Sequence, residues 1–96
     1  MSRDDLHFTW DPAKNAGNQK KHRVDFSEAC SVFFDDQARL IDDPDHSSDE
    51  DRFIIMGRSA RFRILLVCHC YRRDDAEIRI VSARKALKHE IKHYQG

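Results

Sequence analysis

The period of the apolar positions changes several times along the chain, and each change marks an element. His7-Phe8-Thr9-Trp10 alternates polar and apolar side chains and then meets Asp11-Pro12. That predicts a short strand followed by a helix start, with Asp11 as N-cap and Pro12 in the first turn, where its missing N–H costs nothing. The helix predicted over 12–22 is polar, with a thin apolar stripe of Ala13, Ala16 and Gly17. Phe26, Ala29, Cys30, Phe33 and Phe34 then recur at i, i+3, i+4, i+7 and i+8, a full helical stripe. Asp25 or Ser27 can cap this second helix, and Asp35-Asp36 ends it.

Strand-like runs follow. Residues 38–42 suit a short strand, 52–56 a second, broken by Gly57, 62–71 the longest and most apolar one, and 77–81 the last. Residues 42–51, acidic and holding Pro44 and Ser47-Ser48, predict a loop in which His46 is solvated. Residues 58–61 and 72–76 read as turns. Ser82 can cap a final helix over 84–95 whose apolar stripe is Ala83, Leu87, Ile91 and Tyr94. The order is strand, two helices, an antiparallel meander of about four strands, and a C-terminal helix, so the expected class is α+β in one domain, 1–96.

Charge changes this picture. The chain has 17 Lys+Arg and 17 Asp+Glu, a formal net charge of zero. Residues 1–51 hold six basic and thirteen acidic side chains, net −7, while residues 52–96 hold eleven basic and four acidic ones, net +7. An acidic front half beside a basic rear half suits an anionic ligand on one side and a basic partner on the other. No apolar run approaches the ~18–20 residues that span a bilayer. The N-terminus has no apolar signal-peptide core, so a cytoplasmic protein is expected. Three cysteines, Cys30, Cys68 and Cys70, do not make a disulfide framework. Cys68 and Cys70 share a strand face and are expected to be small core hydrophobes.

Candidate chemistry gathers in the basic half. If the Ile78/Ile80 face is covered by helices, Arg79 lies on the open side. If the cysteines face the core, His69 and Tyr71 join Arg79 there, with Arg58, Arg61, Arg63, Arg72 and Arg73 near strand ends. A basic sheet face with rings suits single-stranded RNA, whose phosphates pair with arginines and whose bases stack on aromatic groups. His89 and His93 stand at i, i+4 on the predicted last helix, but a third ligand is absent and the neighbours are cationic, so no metal is expected. Three scattered glycines exclude a phosphate-binding loop. The basic last helix could instead lie on a membrane or dock a partner.

Phe8-Thr9-Trp10-Asp11-Pro12-Ala13-Lys14, then Asn18, then Lys21-His22-Arg23-Val24-Asp25-Phe26 resemble the opening of the BrnT family of bacterial toxins. Glu28-Ala29, Val32-Phe33-Phe34-Asp35-Asp36, Asp51-Arg52-Phe53, Ile55, Gly57-Arg58-Ser59 and Ile80-Val81-Ser82-Ala83-Arg84-Lys85-Ala86, with Glu90 and Tyr94, continue it over about residues 8–95. Arg23 stands where the family usually has glycine, which would suit a left-handed helix cap, so a different turn is expected there. The Cys68-His69-Cys70 triplet is a second departure.

The resemblance implies a RelE-like fold and the toxin half of a type II toxin–antitoxin pair. It implies a ribonuclease that stops translation, needs no cofactor, and is neutralised by a ribbon-helix-helix antitoxin that alone touches DNA. RNA supplies its own 2′-OH nucleophile, so a metal-free enzyme needs a base, phosphate-binding cations and an acid. Lys21, His22, Arg58 and Arg84 match family positions and are catalytic candidates; Arg79 joins them by strand topography, and His69 is the alternative base. Arg61, Arg63, Tyr71, Lys85 and Lys88 are candidates for holding RNA. The rival readings are a non-catalytic nucleic-acid-binding module and a protein-interaction module.

Overall fold

Asp11 starts the first helix as expected: its carboxylate accepts from the Ala13 amide at 2.9 Å, with Pro12 in the first turn. The computed structural model describes residues 6–41, 52–74 and 76–94. The acidic loop predicted over 42–51, with His46, lies outside the described residues. Helix α1 is Pro12–His22, and its last turn carries Lys20, Lys21 and His22 at the negative end of the helix dipole. Arg23 ends it in the left-handed region (φ 58°, ψ 36°), donating its N–H to the Gln19 carbonyl at 2.9 Å. The different turn expected for a non-glycine residue is therefore not used. The glycine-like cap is kept, at a cost of about 1 kcal/mol. An Arg63 guanidinium nitrogen 3.1 Å from the Arg23 carbonyl helps hold it.

The apolar stripe predicted on α1 is corrected. Ala13, Ala16 and Gly17 are exposed, and the buried residue is Asn18. Its side-chain N–H groups donate to the carbonyls of Val24 (2.9 Å) and Ala83 (2.8 Å), and its oxygen accepts from the Ala83 amide (3.1 Å). Asn15 accepts from the Phe26 amide at 3.0 Å. The helix is thus fastened through amides, which burial tolerates because their polar atoms are bonded. Helix α2, Phe26–Ser31, is capped by Asp25, which accepts from the Ser27 amide at 2.9 Å. It tightens into a 3-10 turn at Val32–Phe34. That tightening shifts the phase of the predicted stripe: Val32 is fully buried while Phe34 is 42% exposed.

Among the described residues, five strands form one sheet: β1 Phe8–Thr9, β2 Arg39–Ile41, β3 Phe53–Arg58, β4 Ile64–Arg72 and β5 Glu77–Lys85. Their spatial order is β1-β5-β4-β3-β2, with β1 parallel to β5 and the other neighbours antiparallel. Gly57 does not break β3. A Cβ there would stand 2.8 Å from Ala38 Cβ and 2.9 Å from Val32 Cγ1, so glycine is needed for close approach.

The predicted C-terminal helix over 84–95 is also corrected. Strand β5 runs to Lys85, and the helix shrinks to one turn, α3, Lys88–Ile91. Cys68 pairs with Ser82 but His69 with Ile80, so Val81 is an inserted bulge residue. The bulge brings Ile80 and Ala83 to the same covered face and breaks the strict alternation. That is why Ser82-Ala83 imitates a cap followed by a stripe. Leu87 and Ile91 are 55% and 41% exposed, and His93 lies beyond the end of α3, so His89 and His93 do not share a helix face. No helix among the described residues is long and apolar enough to cross a membrane.

Both sheet faces are buried. Val24, Phe26, Ala29 and Val32 pack on Leu65, Val67, Ile78, Ile80 and Ala83. On the other face Ile54, Met56, Leu66 and Cys68 form a second cluster, with Ile41, Val81 and Tyr94 packed against it. Cys68 is buried there, as expected of a small hydrophobe, whereas Cys70 is half-buried.

Candidate active site

The amide clamp of Asn18 on Ala83 lays α1 along the border of β5. The last turn of α1 therefore reaches the last residues of the strand. Lys21, His22 and Arg23 face Arg84, Lys85 and Leu87 across an open cleft of about 460 Å³. His22 is half-buried, and partial burial, then the Lys21 and Arg84 cations, push its pKa below the ordinary histidine value. A neutral imidazole at pH 7 amid cations can accept a proton and cannot readily keep one.

Arg84 is aimed by Glu90. The two guanidinium nitrogens each lie 2.8 Å from a different Glu90 oxygen, a bidentate pair. The same carboxylate accepts the Leu87 amide at 2.7 Å, closing the turn that begins α3. The Arg84 bonds above all hold the Glu90 carboxyl down at about 2. Glu90 is thus an ionised anchor that fixes both the arginine and the segment after β5.

Arg63, a candidate for holding RNA, is engaged by Glu28. Its Nε lies 2.9 Å from Glu28 Oε2, and a second guanidinium nitrogen bonds Glu28 Oε1. Ser59 donates to the same carboxylate at 2.7 Å. Burial alone would raise the Glu28 pKa, but the Arg63 and Ser59 bonds outweigh it and lower it. This bracket pins the Ser59–Arg63 turn to α2, leaving Arg61 exposed on the same turn.

Arg58 ends β3 on the face of the second cluster, 5.8 Å from the centroid of the Tyr94 ring. Its amide donates to Asp35 at 2.7 Å, and the Tyr94 hydroxyl donates to the same oxygen at 2.5 Å. Arg58 does not line the His22 cleft. Arg79 lines a separate pocket of about 240 Å³ with Lys14, Arg52, Cys70 and Arg72. Lys88 is exposed at the start of α3.

The expected convergence of His69, Tyr71 and Arg79 on one open face is overturned. His69 is fully buried, with Nδ1 3.1 Å from the Val67 carbonyl and Nε2 3.1 Å from the Tyr71 hydroxyl. Phe33 meets it edge-on at 4.8 Å. Burial lowers its pKa. His69 pairs with Ile80 on the helix-covered face, whereas Arg79 pairs with Cys70 on the opposite one. Strand β4 is apolar on both faces, so burial of Cys68 does not decide which face the helices cover.

The structure thus brings Lys21, His22, Arg84 and Lys85 together. His69 is buried away from them, and Arg58 and Arg79 do not line that cleft, although the strand register puts Arg58, Arg79 and Arg84 on one sheet face. Three residues that matter to the site, Asn18, Glu28 and Glu90, went unassigned in the sequence; each stands in the ordered motif, but burial and pairing alone reveal what it does. Among the described residues, no three His, Cys, Asp or Glu side chains stand close enough to hold a metal ion.

A small α+β domain with a cationic, imidazole-bearing cleft where a helix meets a sheet border has the chemistry of a protein that handles phosphodiesters. The model of the family described as "Ribonuclease toxin, BrnT, of type II toxin-antitoxin system" matches residues 10–90, and the chain belongs to that family. The fold is similar to that in the 1.1 Å crystal structure of the Brucella abortus ribonuclease toxin, BrnT. The TM-score is 0.67 at 20% sequence identity, covering 86% of this chain and 99% of that one. No curated protein matches the chain by sequence. The α+β class expected from the order of elements is therefore the one observed.

Proposed function

We propose that this ribonuclease toxin is a metal-independent endoribonuclease whose reaction runs in the His22 cleft. The observation that carries the reading is the depressed imidazole of His22 set among Lys21, Arg84 and Lys85. In this reaction neutral His22 removes the proton of an RNA 2′-OH, and the resulting oxygen attacks the adjacent phosphorus. Arg84, held in orientation by Glu90, and Lys21 stabilise the charge that builds on the phosphate. The bond from phosphorus to the 5′-oxygen breaks, and that oxygen takes a proton from a lysine ammonium of the cleft. The products are a 2′,3′-cyclic phosphate and a 5′-OH.

Cleavage of messages in the cytoplasm would stop translation, and an antitoxin of ribbon-helix-helix type would neutralise the toxin and carry any contact with DNA. Arg84→Ala should abolish growth arrest on induction while circular dichroism shows a folded protein. Full toxicity in that variant would remove Arg84 from the site. Purified protein should yield cyclic-phosphate ends in the presence of EDTA. A gel shift without new ends would assign the cleft to binding alone, and loss on chelation restored by zinc would overturn the metal-free reaction. A neighbouring reading frame with a ribbon-helix-helix pattern would support the antitoxin assignment.

A further inference from the structure

The Ser59–Arg63 turn carries a feature that neither the cleft nor the core uses. The Ser59 amide donates to the Arg63 carbonyl at 2.8 Å and the Phe62 amide to the Ser59 carbonyl at 2.9 Å, closing a tight hairpin loop between β3 and β4. Phe62 occupies the left-handed position of that loop, φ 63°, where glycine is the unstrained choice. A bulky aromatic residue there is strained. The ring is also 82% exposed, the most exposed large apolar side chain among the described residues. Strain and exposure both oppose a phenylalanine at this position, and no packing among the described residues buries the ring. Backbone strain of this kind points to a functional demand.

The surroundings say what would use the ring. Its neighbours in the chain are Arg61, exposed, and Arg63, whose guanidinium bonds both Glu28 and the Arg23 carbonyl. Arg23 itself lines the His22 cleft. Just past the loop, the Ile64 carbonyl accepts the Ala86 amide at 2.9 Å, which ties the loop exit to the end of β5 beside Lys85. The loop that carries the ring is therefore tied to two segments bordering the candidate active site, Arg23 and the end of β5, within the half that carries net +7. Apolar contact alone would suit a protein partner. An isolated ring among arginines suits an unpaired nucleobase, which stacks on the ring while its phosphate meets a guanidinium.

We propose that Phe62 is a stacking platform for a single-stranded base of the RNA flanking the cleaved phosphate, with Arg61 holding the adjoining backbone. This subsite rests on the ribonuclease reading of the His22 cleft. Phe62→Gly removes the ring and suits the left-handed backbone, so the fold survives with a melting temperature within a few degrees of native. The variant should bind an uncleavable 2′-O-methyl oligoribonucleotide about ten- to hundredfold more weakly than the native protein. It should show the same rise in KM on cleavable RNA, with kcat within about twofold. Phe62→Trp should keep the affinity, and its added fluorescence should change on binding the same oligonucleotide. Native affinity and KM in Phe62→Gly would overturn the subsite. Weakened antitoxin binding with unchanged RNA binding would overturn it too, by giving the ring to a protein partner. If the native protein itself neither binds nor cleaves RNA, the ribonuclease reading fails first and the subsite falls with it.

Discussion

His22 and His69 share one electrostatic property and differ in everything else. Burial lowers the pKa of both. His22 opens on a cleft and has cations as neighbours, so its neutral nitrogen can meet a substrate. His69 is closed off by Phe33, Phe53 and Tyr71, with both ring nitrogens within hydrogen-bonding distance of protein oxygens. A shifted titration marks a site only when the group can also be reached. The buried ring is part of the packing, a polar side chain accommodated by a carbonyl and a hydroxyl.

Substitutions can break or sharpen that contrast. His22→Gln should lower the cleavage rate by about 10²–10⁴, the usual worth of a positioned general base, with no change in the urea midpoint. An equal rate in that variant would end the assignment. His69→Ala should do the converse. It should destabilise the fold by about 2–4 kcal/mol through the cavity left beside Phe33 and the lost hydrogen bonds of the ring, while specific activity of the folded fraction stays near native. Glu90→Gln should weaken the bidentate hold on Arg84 and cost about tenfold in kcat, read against an unchanged rate in a Lys92→Gln control at an exposed lysine beyond α3.

The smallest effects are in pH. An unfolded histidine titrates near its ordinary ~6.5, above both folded values, so the unfolded chain binds more protons as pH falls through that region. Stability is therefore full above about pH 6.5 and declines below it, and His69→Phe should flatten the decline seen by urea unfolding. The carboxylates Glu28, Asp35 and Glu90 act lower: their folded values are depressed, so their contribution is present above ~4.3 and is lost toward about 2, the value for Glu90. Activity should rise with pH along a limb set by the lowered His22 value, and a limb at or above ~6.5 would contradict the environment described for it.

Local chemistry made much of this legible. Asp11-Pro12 and Asp25 announce two helix starts correctly because a cap is a contact within a few residues. The apolar runs predict strands over 52–56 and 62–71, and the structure has them at Phe53–Arg58 and Ile64–Arg72. What escaped depends on contacts distant in the chain. Asn18 looked like one more polar residue because its partners, Val24 and Ala83, are 6 and 65 positions away. The bulge at Val81 makes the end of a continuous strand resemble a helix cap in the sequence. The face His69 occupies is not legible in the sequence, because a strand buried on both sides has no alternation to show. In the cleft, the Lys21-His22 motif and Arg84 are visible as residues, whereas only the sheet register shows that Arg58, Arg79 and Arg84 share one face.

The bonds of Asn18 to Ala83 also bear on how this chain avoids sticking to itself. Strand β1 pairs with β5 opposite Ile78 and Arg79, and farther along that border α1 takes the place of a strand. At Ala83 a side-chain amide occupies both the N–H and the carbonyl, as a neighbouring strand would. A carboxamide thus plays the part of a missing peptide, and the border offers less of the template on which another copy could add. Replacing it with the nearly isosteric aspartate would set an oxygen where a donor is needed and reopen that template. Toxin preparations carrying such a change would be expected to precipitate sooner than they lose catalytic chemistry, a matter of handling and expression as much as of mechanism.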